Sequence, residues 1–200
     1  PAVESLNQFG MLIFSAVSLA VLQPPARDAL LGHIEEMRRS GTAVVFDTNY
    51  RPALWPSPGA ARTWIERAAG LATLLMPTTD DLSPLYPGKT PPDLFDDLTN
   101  RYECEIIYKD GGGPVRTCVS GTTAIFELDC SGPRVDTTGA GDSFNAGFIT
   151  ASLLGKTVPE SIASAHQLAS VVVAHRNAVI PAEAMPWISD GNRGTMNGLN

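Results

Sequence analysis

The chain has 200 residues, 44% hydrophobic and 18% charged, which is enough apolar material for one ordinary globular core and argues against disorder as its general state. A formal net charge of -7 argues against a general nucleic-acid or anionic-membrane surface, so any phosphate site has to be built locally. The three cysteines, Cys104, Cys118 and Cys130, contain no C-x-x-C pair, which points away from a zinc site or a disulfide framework and toward a reducing cytoplasmic compartment.

The chain opens at Pro1 without a methionine and runs almost directly into a helix-sized segment and a core strand, so an upstream portion is expected to be missing. "MLIFSAVSLAVL" (Met11 to Leu22) is too short to span a bilayer and lacks the basic flank of a signal peptide. It reads as a buried strand with the loop that follows it. Ala29, Leu30, Ile34 and Met37 then recur at helical spacing, Ser40-Gly41 supplies a stop, and "TAVVFDTN" reads as a short buried strand. A second helix is expected around Ala60 to Gly70, followed by an apolar strand at Leu71 to Met76 that Pro77 closes.

Asp93 to Glu103 can form a short helix. "EIIYKD", "VRTCVS" and "TTAIFEL" are β-rich runs broken by "GGGP" and by Ser120-Gly121, which suits two successive hairpins. Helices are expected again from Asp142 to Leu154 and from Pro159 to about Arg176. Residues 1–188 form the folded portion, and the tail from Ser189 to Asn200, almost without apolar residues, is expected to be disordered. Strands alternating with crossover helices, followed by an antiparallel meander, imply a layered α/β domain on a mostly parallel sheet.

In such a sheet ligands bind beyond the carboxyl ends of the strands. Four segments stand there: "DTNYRPALW", "MPTTDDL", "YKDGGG" and "DTTGAGDSFNAGF" (Asp136 to Phe148). In the last, Gly139, Ala140 and Gly141 allow close backbone approach at the mouth of a helix whose first N–H groups point outward, which together make an anion site. A carboxylate at Asp142 repels a phosphate unless it takes a proton from the attacking group, as a kinase requires. The alternative is that Asp142 caps the helix and the glycines merely turn the chain. The dinucleotide pattern G-x-G-x-x-G fails here because Phe144 stands at its last glycine. Both "GKT" triplets fail as P-loops, having Ser83 and Thr150 where glycine is needed, and the first runs into Pro91-Pro92 where a helix would have to begin.

"DTTGAGDSFNAGF" resembles the C-terminal signature of the ribokinase-like (PfkB-type) sugar kinases, and "FDTNYRPALW" resembles a second segment found in the 2-keto-3-deoxygluconate kinases of that family. The likeness runs from about Leu6 to Met185 and covers the C-terminal two thirds of such a kinase, without the N-terminal strands and the lid over the acceptor. It implies a three-layer α/β sandwich with a terminal antiparallel hairpin region. It further implies ATP-dependent phosphorylation of a sugar or sugar acid, 2-keto-3-deoxygluconate being favoured, with Mg²⁺ and, in some members, a monovalent cation. A fructokinase-like or ribokinase-like enzyme, or a nucleotide-binding remnant without turnover, stands as the alternative. The resemblance gives no nucleic-acid or membrane partner and leaves open a homo-oligomer of the full-length form.

By position, Asp142 matches the catalytic base, and Gly139, Ala140 and Gly141 match the anion hole. Arg51, with Asn49 and Tyr50 beside it, matches the arginine that meets nucleotide phosphate or the sugar acid; a planar guanidinium suits either anion. By residue type alone Arg51 is more often a solvated loop residue. Lys109, Gly111 and Gly113 match a nucleotide-side loop, although "DGGG" also reads as a plain hairpin turn. Thr78 and Asp81 stand where many members have the Asn and Glu that organise Mg²⁺; Asp81 keeps an acid of shorter reach that could act through water, or could simply favour a helix start. Asn177 replaces a glycine near the base, and asparagine tolerates the left-handed turn best among the alternatives. Asp136 and Thr138 match a monovalent-cation site. His33, His166 and His175 fall in helical patterns and read as surface or core filling.

Overall fold

The computed structural model describes residues 4–186, and the tail expected to be disordered, 189–200, lies outside them. The chain divides into a unit ending at Glu127 and a second beginning at Leu128. In the first, the runs rich in Val, Ile, Leu and Phe form strands β1 (Met11–Ser15), β2 (Ala43–Asp47), β3 (Leu74–Leu75), β4 (Glu105–Lys109), β5 (Val115–Val119) and β6 (Thr122–Phe126). They lie in sequence order in one sheet, β1 to β4 parallel, with β5 antiparallel to β4 and β6 antiparallel to β5.

Between the parallel strands run α1 (Ala16–Ala20), α2 (Pro24–Arg39), α3 (Pro58–Ala69), α4 (Thr79–Leu82) and α5 (Pro91–Arg101). The period of two in each strand puts alternate side chains on one face. Phe14, Phe46, Leu75 and Ile106 thus stand opposite one another across the four parallel strands. Ile34 of α2, Ile65 of α3 and Leu94 and Leu98 of α5 join the same core. Burying each such side chain contributes roughly 1.5–3 kcal/mol.

Turn chemistry sets the ends of these elements. α2 stops in a Schellman arrangement: the Thr42 and Gly41 N–H groups donate to Met37 and Arg38 carbonyls, both at 3.0 Å, and Gly41 takes the left-handed φ of 96° that this requires. Ser120 (φ 50°) and Gly121 (φ 74°) make the two-residue turn joining β5 to β6, as the hairpin reading expects.

Several expectations give way in the first unit. The residues after β1 are helical, not a loop, because buried Arg27 satisfies the last carbonyls of α1, donating to Leu19 at 2.7 Å and Ala20 at 3.1 Å. Pro91 and Pro92 begin α5 instead of preventing a helix, since the first helical N–H groups have no partner to lose. Of Leu71 to Met76 only Leu74 and Leu75 pair as strand, because the Leu71 and Ala72 N–H groups still bond to carbonyls of α3. α3 itself begins at Pro58, where Ser57 accepts from the Ala60 N–H, and not at Ala60.

The second unit holds α6 (Ala140–Leu153) and α7 (Val158–Val173), joined through Gly155 at φ 76°. A Cβ on Gly147 would lie 2.7 Å from Ala165 Cα, so the glycine sets how closely the two helices approach. α7 ends at Val173, short of Arg176, before Asn177 turns at φ 75°. Among the described residues no helix is long and apolar enough to cross a membrane.

Candidate functional site

The carboxyl ends of β2, β3 and β4 carry the polar residues of the first unit. Asp47 and Lys109, the last residues of β2 and β4, are buried, with Lys109 Nζ 3.8 Å from Asp47 Oδ1. Thr78 bridges to Lys109 as a parallel neighbour and caps α4, accepting from the Asp81 N–H at 3.1 Å. Asp81 is 5% exposed. Its Oδ2 accepts from Thr48 Oγ1 at 2.9 Å, and its Oδ1 from the Tyr50 N–H at 2.9 Å and from Arg51 Nη1 at 3.5 Å. Asn49 lies between these partners at φ 24°, with its Oδ1 buried and unbonded. Tyr50 is buried, whereas the Arg51 side chain is 58% exposed, its Nη1 also donating to the Tyr50 carbonyl at 3.0 Å. Gly111 (φ 55°) and Gly113 shape the β4–β5 turn, in which the Gly113 N–H donates to the Asp110 carbonyl at 2.6 Å.

In the second unit, Gly139 is the N-cap of α6 at φ 80°, and a Cβ there would come within 2.7 Å of Ala178 Cβ. Conformation and close approach both require glycine at this position. Gly141 has open space where a Cβ would be, so its bare backbone leaves the helix mouth uncovered. The first-turn N–H groups there have no intrahelical acceptor. Asp142 is exposed in this turn, at the third helical position. It is therefore not the cap that one sequence reading made it; Gly139 is.

Asp136 fastens the approach to the helix, accepting from the Thr138 N–H at 2.9 Å through Oδ1 and from the Asn177 N–H at 3.2 Å through Oδ2. Hydrogen bonding by Thr138 lowers the carboxyl pKa of Asp136 below its ordinary value, and the Asn177 N–H adds to the effect. Asn177 holds the left-handed turn expected of a glycine replacement.

The structure thus gathers Asn49, Tyr50, Arg51, Asp81 and Lys109 in one cluster and Asp136, Thr138, Gly139, Ala140, Gly141, Asp142 and Asn177 in another. The first cluster also holds Asp47 and Thr48, to which the sequence assigns no role; their only mark in it is a charge and a hydroxyl ending an apolar strand. Asp81 has both oxygens committed to protein donors and does not fit direct ligation of a divalent ion. Among the described residues no group of three or more His, Cys, Asp or Glu could hold a metal. Both "GKT" triplets serve helix starts, Thr90 heading α5 and Thr157 heading α7, each bonded to an acid three residues on. His166 and His175 bond to the carbonyls of Asp129 and Val171, which is structural filling.

A parallel sheet with polar residues at its carboxyl edge, and a glycine-rich helix mouth followed by an acid, define an α/β protein of the ribokinase-like fold. The chain belongs to the pfkB family of carbohydrate kinases, whose model matches residues 2–185. It is 33% identical over 186 residues to the 2-dehydro-3-deoxygluconokinase of Escherichia coli (strain K12), covering 92% of this chain and 60% of that protein. Similarity to the enzyme of that name from Dickeya dadantii (strain 3937) is also 33%, over 190 residues, with the same coverage. Among solved structures, aminoimidazole riboside kinase from Salmonella enterica, complexed with aminoimidazole riboside and an ATP analog, superimposes with a TM-score of 0.71 at 28% identity. That match covers 84% of this chain and 57% of the other. The chain therefore spans about 60% of the length of the curated relatives it matches.

Proposed function

We propose that the protein transfers the terminal phosphate of ATP to a hydroxyl of a sugar acid, with 2-keto-3-deoxygluconate (2-dehydro-3-deoxygluconate) as the acceptor. The observation that carries this reading is the exposed Asp142 carboxylate in the first turn of α6, directly after Gly141, whose bare backbone has open space beside it. The Ala140 N–H already donates to the Thr137 carbonyl at 3.1 Å, and an acid with no capping duty beside the remaining first-turn N–H groups suits proton removal next to a transferring phosphate. The names of these curated relatives support the acceptor.

In this mechanism the first-turn N–H groups of α6 hold the γ-phosphate, and the acceptor hydroxyl lies within about 3–3.5 Å of its phosphorus. Asp142 takes the hydroxyl proton as the new O–P bond forms and the bond to the β-phosphate oxygen breaks, leaving ADP. Arg51, with Asn49 and Tyr50, meets the acceptor carboxylate through paired donors. Lys109, Gly111 and Gly113 of the first unit, and Asn177 of the second, are each assigned to nucleotide binding by the family resemblance. Mg²⁺ would come with the ATP phosphates and would neutralise their charge; Asp81, with both oxygens accepting from protein donors, would reach it only through water. Asp136 and Thr138 would meet a monovalent cation only alongside the Thr138 and Asn177 N–H groups that the two Asp136 oxygens already accept from.

ATP-dependent phosphorylation of a panel of sugars and sugar acids by the full-length protein tests this. The expected result is a kcat/KM for 2-keto-3-deoxygluconate at least about tenfold above those for fructose and ribose, because a site built to bond a carboxylate leaves polar groups unpaired with neutral sugars. Preference for a neutral sugar would replace the acceptor, and the absence of any phosphoryl transfer would remove the kinase reading altogether.

A further inference from the structure

The acid three positions after Thr78 does something in this fold that its motif position does not suggest. Asp81 accepts hydrogen bonds from Thr48, Tyr50 and Arg51, all in the loop that leaves β2. Thr78 doubles the attachment, capping Asp81 while its own N–H donates to Thr48 Oγ1 at 3.4 Å. The loop passes through Asn49 at φ 24°, a conformation that a non-glycine residue keeps only where its surroundings over-determine it. The product of these contacts is Arg51, anchored at one guanidinium nitrogen and otherwise largely exposed. A guanidinium held by one edge presents its remaining donors in a set plane, which is how planar anions are read.

We propose that Asp81 is a positioning residue that acts through Arg51: its carboxylate clamps the 48–51 loop and orients the guanidinium toward the anionic group of the acceptor. This rests on the reading of Arg51 as the acceptor-carboxylate reader. An isosteric amide keeps the volume, loses the charge that holds Arg51, and leaves one acceptor oxygen where Thr48, Tyr50 and Arg51 now share two. Asp81 therefore governs selection between acidic and neutral acceptors without touching either.

The test is a double-mutant cycle in the full-length protein with Asp81→Asn, Arg51→Lys and the pair, measuring kcat and KM for 2-keto-3-deoxygluconate and for a neutral sugar, alongside hydrogen exchange at the Tyr50 amide. Asp81→Asn is expected to raise KM for the sugar acid about tenfold with kcat within about twofold, and the double variant to be no worse than the poorer single one. The Tyr50 amide, which donates to Asp81, is expected to exchange faster. Single-variant losses that multiply in the double variant, or equal losses for acid and neutral acceptors confined to kcat, would overturn the proposal. So would an unchanged Tyr50 amide.

If Asp81→Asn does not fold, Thr48→Val removes one of the three bonds while keeping the carboxylate; a rise in KM for the sugar acid at constant kcat supports the clamp, and an unchanged KM overturns it. If Arg51→Lys harms both acceptors alike, the acceptor reading of Arg51 fails on its own. The coupling between Arg51 and Asp81 is then scored on KM for ATP, where non-multiplying losses support the clamp and multiplying losses overturn it.

Discussion

Asp142 is the residue at which the chemical and structural readings separate most cleanly. Because Gly139 caps α6 and Asp142 sits at the third helical position, Asp142→Asn removes only a favourable charge near the helix N-terminus, worth about 0.3–1 kcal/mol. The same change removes the proton acceptor, so kcat is expected to fall about 10²–10⁴-fold while Tm and ATP affinity stay near wild type. Turnover assays and thermal melts on one variant check both halves; wild-type turnover would leave Asp142 with no chemical role. At Arg51, lysine keeps the charge but loses the planar fork. Arg51→Lys is expected to raise KM for a sugar acid more than for a neutral sugar, measured by steady-state kinetics with both.

At the scale of elements, the α6–α7 pair depends on a glycine for its spacing. The Cβ introduced by Gly147→Ala would meet backbone atoms, Ala165 Cα at 2.7 Å and the Ser164 carbonyl oxygen at 3.2 Å, and neither can rotate away as a side chain would. The substitution is expected to cost about 1–3 kcal/mol, despite alanine's better helix propensity, because overpacking a close helix contact outweighs a propensity gain of about 0.8–1 kcal/mol. Urea unfolding with a two-state fit checks the sign; a stabilised variant would mean that the helices separate at little cost.

Across the whole molecule, the hydrogen-bonded acids set the response to pH. Asp93, Asp129, Asp136 and Glu160 each have a carboxyl pKa lowered by hydrogen bonds, from Thr90, Ser131, Thr138 and Thr157 respectively. Their pKa values are lower folded than unfolded, so the unfolded chain binds more protons over this range and stability rises with pH. The contribution is complete above the ordinary carboxylate pKa of about 4 and is lost as pH falls through the depressed folded values. Unfolding midpoints measured from pH 6 down to pH 3 are expected to be flat at first and then to drop. In Asp136→Asn the difference from wild type should shrink in the acid range, and a difference constant with pH would show that the Asp136 charge carries none of it.

What the sequence alone determined here is what nearest neighbours along the chain determine: the apolar strand runs, the stop at Ser40-Gly41, the Ser120-Gly121 turn and the glycine-rich mouth of α6 followed by its acid. These follow from φ preferences and side-chain periodicity within a few residues, so they are legible without knowing the fold. Even there, the start of α5 at Pro91 is not legible from residue type, because a proline's effect depends on whether its missing N–H had a partner to lose. The partners of Asp81 and Lys109 were decided only by tertiary structure. Thr48 and Tyr50 lie 33 and 31 positions from Asp81, and they meet it only because the sheet order sets the ends of β2, β3 and β4 side by side. A carboxylate in a sequence carries no mark of burial; the parallel register, fixed by packing a row of apolar side chains across four strands, places Asp81 where its oxygens must find donors from another loop.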